Sequence, residues 1–285
     1  MFKKCYRKDA IMHKISKKIL LFFIAFIALQ GVSFAEVLEF AQISDVHYSL
    51  DDKTMDKYLY FLSLSLKKRN PDFAIFLGDN VDKSREEDVI GFMRAIHSIK
   101  VPYYIVLGKN DAHKLSGLEK ETYLDIVTTF NSNQEDALKY YYFKPNSDFI
   151  CVVLDDNPDF AKSEHGQIDD EQLQWLEKLL IKYPKKIFLI FHHCPLMPPR
   201  VEYKLSMLDT EKYQELLKKY NNILLISSGH YHQEAVQTDE NGIRHISAPA
   251  FKDIPHSYQI IKIIYDEKTY KSPKDLQVVV SRVRV

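Results

Sequence analysis

Two hydrophobic periods run along this chain, and the switches between them predict its elements. Short apolar runs rich in branched and aromatic residues, Val37 to Ala41, Phe73 to Leu77 and Pro102 to Leu107, read as buried strands. Between the first two, Met55, Tyr58, Leu59, Leu62 and Leu66 recur at helical spacing, and Asn70-Pro71 closes that helix. A second helix carries Val89, Ile90, Met93 and Ile96, with Ser84 and Glu87 spaced as a capping box. Strand, helix, strand, helix, strand at these lengths implies right-handed crossovers and a parallel sheet.

The pattern then changes. Lys139 to Lys144 and Phe149 to Leu154 are strand-like and close in sequence, so a hairpin or meander is expected. A helix from about Asp170 to Tyr183 puts Leu173, Leu176 and Leu180 on one face, with Asp169 placed to cap it. Ile187 to Phe191 and Asn222 to Ser227 read as buried strands. The tail alternates short strands at Glu234–Thr238, Arg244–Ser247, Ser257–Tyr265 and Leu276–Val283. This set fits a mixed two-sheet sandwich flanked by helices better than one open sheet. The stretch from His113 to Glu164 reads as carrying loops over any site at the strand ends.

Composition changes the picture mainly at the N-terminus. Lys3, Lys4, Arg7, Lys8, Lys14, Lys17 and Lys18 precede an uninterrupted apolar run from Ile19 to Leu29, and small residues follow at Ser33 and Ala35. This order reads as a secretory signal over residues 1–35, cut after Ala35, leaving an exported domain of residues 36–285. The alternative is an uncleaved membrane anchor, for which the apolar run falls short of the roughly 20 residues a span needs. The whole chain has 39 Lys+Arg and 39 Asp+Glu; without the seven bases and one acid of the leader, the rest carries a net charge of −6. An acidic domain is a poor match for bulk nucleic acid. Of the cysteines, Cys151 and Cys194 lie outside the leader; one disulfide is possible, and Cys151 reads as core.

Candidate chemistry sits at the strand ends. Asp45 with His47, Asp79, Asn110, His192 with His193, and His230 with His232 each follow an apolar strand. Singly they have plain structural readings as turn, cap or strand-end residues. Together they occupy the same relative place, the strand edge where sites form in open α/β sheets. Carboxylate oxygen with imidazole nitrogen suits Mn, Fe, Zn or a similar divalent ion.

The series Asp45-Val46-His47, Gly78-Asp79-Asn80-Val81-Asp82, Gly108-Lys109-Asn110-Asp111, His192-His193-Cys194-Pro195 and Gly229-His230-Tyr231-His232 resembles the motifs of the calcineurin-like metallophosphoesterase superfamily, as does Gln172-Leu173-Gln174-Trp175-Leu176-Glu177. The resemblance spans roughly residues 37–264. It implies a four-layer α/β/β/α sandwich of two mixed sheets flanked by helices. It also implies two divalent metal ions and hydrolysis of a small phosphorylated substrate, a phosphate mono- or diester. By the same resemblance Asp45, His47 and His232 hold one ion, Asp79 bridges, and Asn110, His192 and His230 hold the other. His193 is then a substrate-positioning residue, and Asp82 lies outside the ligand set. The third motif departs from the usual GNHD. An ungapped match sets Lys109 on the metal-ligand Asn and Asn110 on the catalytic His, whereas a one-residue bulge brings Asn110 onto the metal. Lysine has no lone pair for a cation at neutral pH, and either way the expected general acid is missing. His113 is a possible substitute, while His97, His165, His245 and His256 read as helix-face or loop residues. A relative that binds metal or a phosphorylated ligand with little turnover is the alternative.

Overall fold

Each central strand is apolar on both faces, so each must be covered twice, and the chain meets this demand with two sheets and two layers of helix. The computed structural model describes residues 36–113, 117–134, 136, 138–158, 163–200, 205, 207–266 and 272–285. The expected leader, with its cut after Ala35, lies outside the described residues. The elements are β1 (Glu36–Ile43), α1 (Thr54–Arg69), β2 (Phe73–Leu77), α2 (Glu86–Ile96), β3 (Tyr103–Val106), α3 (Lys120–Phe130), β4 (Tyr141–Phe143), β5 (Phe149–Val153), α4 (Asp170–Lys182), β6 (Ile187–Phe191), α5 (Glu211–Lys219), β7 (Ile223–Ser228), β8 (Ala235–Thr238), β9 (Arg244–Ser247), β10 (Ser257–Tyr265) and β11 (Gln277–Arg284).

One sheet runs β11-β10-β1-β2-β3, the other β4-β5-β6-β7-β9-β8. Strands β1, β2 and β3 are parallel, as are β5, β6, β7 and β9, with antiparallel strands at the edges. This is the expected mixed sandwich. Three apolar layers separate its four tiers. Leu59, Leu62, Phe92, Met93, Tyr123 and Val127 cover the outer face of the first sheet. Leu38, Phe40, Phe73, Ile75, Phe191 and Ile261 fill the space between the sheets. Leu176, Leu180, Tyr213 and Leu216 cover the second sheet.

Local signals mostly act as read. Asn70 closes α1 with φ 53°, and Asp169 caps α4 by accepting from the Gln172 N–H at 2.8 Å. The Ser84–Glu87 capping box does not form. Arg85 is the N-cap of α2, without a side-chain cap. The Ser84 hydroxyl instead donates to the Asp111 carbonyl and accepts from the Leu118 N–H. A tertiary contact thus outbids the local one, and it ties the loop after β3 to the loop after β2. Helices α3 and α5 carry short apolar patterns, Tyr123-Leu124 with Val127 and Tyr213 with Leu216-Leu217, which the sequence reading passed over. Cys151 and Cys194 are both buried and free, so the possible disulfide is absent between them. No described helix is long and apolar enough to cross a membrane.

Phe40 stacks on Phe73 at 4.9 Å and meets Phe191 edge-on at 5.7 Å, between the sheets. Phe40→Ala should therefore lower unfolding free energy by about 3–5 kcal/mol, read from urea denaturation. A loss under about 1 kcal/mol would mean that the inter-sheet layer closes over the cavity.

Candidate metal centre

Parallel strands place their C-terminal ends on one edge, and β1, β2, β6 and β7 deliver their polar ends to the same place. Backbone bonds stitch the loops together there. The Asp45 and His47 N–H groups donate to the Gly78 and Asp79 carbonyls at 3.1 and 2.9 Å, and the Gly229 N–H donates to the His193 carbonyl at 2.9 Å. Close approach dictates glycine twice: a Cβ on Gly108 would lie 1.9 Å from the Asp79 nitrogen, and Gly78 adopts φ +86° against His193. Asp45, His47, Asp79, His230 and His232 all have positive φ, between 47° and 67°. For residues other than glycine this conformation is uncommon and strained, and such strain gathers at functional sites.

The side chains form two groups. Asp45, His47 and His232 make the first; Asp79, His193 and His230 make the second; within each, the ligand-type atoms lie within 4.8 Å of one another. Asp79 faces both groups, with Oδ2 3.7 Å from His47 Nε2 and Oδ1 3.5 Å from His193 Nε2. His232 Nε2 lies 3.2 Å from Asp45 Oδ1.

Most of the expected residues are brought together, with one exchange. His192 was expected as a ligand, but its ring turns away: Nδ1 donates to the Cys194 carbonyl at 2.7 Å and lies 3.6 Å from Asp156, with Tyr213 of α5 nearby. His193, expected only to position substrate, enters the second group. Alternation explains the exchange. Ile187, Leu189 and Phe191 face the inter-sheet core, and His193 continues that face, whereas Phe188, Ile190 and His192 face the helices. Asn110 reaches Asp79, but through its nitrogens: N–H donates to Oδ1 at 2.8 Å and Nδ2 to Oδ2 at 2.7 Å. Lys109 points to Glu164, so Asn110 is the residue of this motif that reaches the Asp79 carboxylate. Asp82 Oδ1 lies 3.4 Å from His47 Nδ1, outside the groups. His113 is in neither group. His245 faces Asp239, and His256 donates to the Phe251 carbonyl.

The donor set fits divalent cations. Asp45 Oδ1, His47 Nε2, His193 Nε2 and His230 Nδ1 are buried without a hydrogen-bond partner among the described residues. Each such group costs about 1–3 kcal/mol unless something satisfies it. Carbonyl partners fix which nitrogen is offered. His193 Nδ1 donates to the Leu77 carbonyl at 2.7 Å, and His230 Nε2 donates to the Glu164 carbonyl at 3.0 Å, leaving His193 Nε2 and His230 Nδ1 for a ligand.

Electrostatics are set by burial working against close charges. Burial alone would raise Asp45 and Asp79, but the close approach of His232 and the His193 charge lower Asp45, and the nearby His193 charge brings Asp79 well below the carboxylate range. Burial alone would lower His193, yet the Asp79 carboxylate lifts it to about 10. Burial, then the His193 and Lys109 charges, holds His230 down at about 4.

Supporting residues were missed by the sequence reading. Asp111 accepts from the N–H groups of Asn80, Val81 and Gly108 at 2.7, 3.0 and 2.8 Å and from Asn80 Nδ2 at 2.9 Å, which fixes two motif loops at once. Ser44 Oγ donates to Asp45 at 2.5 Å. Asp156 accepts from the Cys194 N–H. A signal existed for Asp156, since it follows the apolar run Phe149 to Leu154 just as the other acids follow theirs.

The sequence profile described as "Calcineurin-like phosphoesterase" matches residues 38–234, a span that holds every strand-end group from Asp45 to His232. A probable glycerophosphodiester phosphodiesterase of Arcobacter nitrofigilis is 28% identical over 203 residues, covering 67% of this chain and 71% of that protein. A 3′,5′-cyclic adenosine monophosphate phosphodiesterase of Haemophilus influenzae is 24% identical over 225 residues, covering 75% and 76% respectively. Among solved structures, a dimetal phosphatase from Danio rerio superposes with a TM-score of 0.66 at 17% identity, covering 85% of this chain and 98% of that one. At that identity the likeness is one of fold.

Because His193 is raised to about 10, a cation taking its Nε2 would displace a proton there, with Mn²⁺ as the probe. Affinity should rise with pH from neutrality toward pH 10, with about one proton released per ion, measured by calorimetry in buffers of different ionisation enthalpy. His193→Ala should abolish the release and weaken Mn²⁺ by more than the about 10–100-fold typical of residues outside the ligand shell, and His192→Ala by less. Proton release that survives His193→Ala would contradict this placement.

Proposed function

The chain belongs to the calcineurin-like phosphoesterase family, and from that membership we propose that it hydrolyses a small phosphate ester at a centre of two divalent cations. The observation that carries the reading is the pair of ligand groups with the two oxygens of Asp79 turned one to each. When bound, such cations supply charge neutralisation for the phosphoryl group and a nucleophilic water near neutral pH.

Asp45, His47 and His232 would hold one cation, and His193 and His230 the other, with Asp79 shared. The chain's own residues preset that geometry. Asn110 clamps Asp79 from one side, while the Leu77 and Glu164 carbonyls orient His193 and His230. Two ionised carboxylates facing the cations partly offset their charge, and the acidic net charge of residues 36–285 makes a small ester a better substrate than a polyanion. The named activities of the relatives support a small phosphodiester.

Proton delivery sets the range of leaving groups. In either alignment the third motif lacks its acid, because the Asn110 carboxamide carries no acidic proton near neutral pH. A positioned acid contributes about 10²–10⁴-fold, so aryl or otherwise activated esters should be cleaved more than about 100-fold faster than matched alkyl esters. The reading is tested with an aryl phosphodiester and Mn²⁺: the purified protein should turn it over, a chelator should stop it, and Asp79→Asn should lose metal together with more than about 100-fold in kcat. Undiminished turnover and metal content in Asp79→Asn would overturn the shared carboxylate. Bound metal without turnover would favour the alternative of a binding protein, which the altered third motif supports.

The reading includes export. Its support is the basic, apolar, small-residue order of residues 1–35. Mass measurement of the protein recovered outside the cytoplasm is expected to give a chain beginning near Glu36; an intact N-terminus held in the membrane would contradict it.

A further inference from the structure

The phosphoesterase reading leaves one charged pair beside the centre without a role. Lys109 lies between Gly108, whose backbone packs on Asp79, and Asn110, whose amide groups hold Asp79. Its ammonium pairs with the Glu164 carboxylate, while the backbone carbonyl of the same Glu164 accepts from His230 Nε2 at 3.0 Å. One acidic residue therefore ties the lysine to a ligand of the second group.

Chemistry separates the two halves of the pair. Lysine at neutral pH offers donors and no lone pair, so it cannot ligate a cation and can bind an anion. The lysine side chain is 17% exposed and the glutamate side chain 51%. An ion pair open to water on the carboxylate side adds little stability. The carboxylate can therefore be exchanged for another anion, and charge-assisted bonds to phosphate oxygens are among the stronger ones available.

We propose, resting on the phosphoesterase reading, that Lys109 is a phosphate-binding residue of this centre and that Glu164 is its exchangeable counter-ion. Without substrate, Glu164 holds the ammonium. When the ester binds, a phosphoryl oxygen takes the place of the Glu164 carboxylate.

The test uses inorganic phosphate as the probe, titrated into the Mn²⁺-loaded protein by calorimetry, with metal content measured in every variant. Lys109→Met is expected to weaken phosphate about tenfold, a loss of about 1.4 kcal/mol, with metal content unchanged; Lys109→Arg should retain most of the affinity. Glu164→Gln removes the competing charge but keeps the backbone carbonyl that orients His230, and should tighten phosphate several-fold. Unaltered affinity in Lys109→Met would overturn the proposal. So would a loss in Glu164→Gln equal to that in Lys109→Met, since the pair would then be structural. If the unaltered protein takes up no metal and cleaves no ester, the phosphoesterase reading fails and this proposal with it. Metal uptake and turnover with phosphate affinity indifferent to Lys109 would sink this proposal alone.

Discussion

The centre depends on keeping the Asp79 carboxylate ionised while it is fully buried. An isolated buried charge is costly, and it survives only where donors and opposite charges converge on it. Here the compensation comes from separate strand ends: two nitrogens of Asn110 after β3, His193 after β6 and His47 after β1. No single segment could provide it. The sandwich brings parallel strands of both sheets to a common edge, and the loops that leave that edge are bonded to one another through their backbones.

Convergence at this density strains the chain. Five of the seven non-glycine residues with positive φ among the described residues belong to the two ligand groups. Asp and His tolerate this conformation better than branched residues do. The strain is held by Asp111, whose four accepted bonds lock the loops after β2 and β3 together. A buried polar contact does similar work between the sheets: Gln42 of β1 donates to Gln259 of β10 at 2.6 Å and accepts from Ser227 of β7. The polar groups thus set the rigid frame in which the histidines need few rotamers.

Charge around the centre is not uniform. The first group has Asp82 and Asp253 near its histidines, at 3.4 Å from His47 and 3.8 Å from His232. The second group has His192 and Asp156 behind it and the Lys109–Glu164 pair at its rim. Two cations in chemically similar groups would therefore meet different outer partners, Asp82, Asp253 and Lys252 at one and Asp156, Lys109 and Glu164 at the other. In such sites the outer partners tune ligand basicity as much as the ligands set geometry.

Much of this was legible in the residues themselves. Apolar runs fixed the central strands, helical spacing fixed α1, α2 and α4, and the recurrence of acids and histidines after strands marked the edge where the groups assemble. The sequence could not say which of His192 and His193 turns inward. Strand β6 is apolar on both faces, and without a polar side there is no pattern to anchor the alternation. Nor could it show that Ser84 would leave a helix cap for the Asp111 loop, or that Lys109 would find Glu164 across 55 positions of chain. Local chemistry determined which residues were available to this centre; only the packing of two sheets decided which atoms face one another, because those contacts join segments that no local spacing relates.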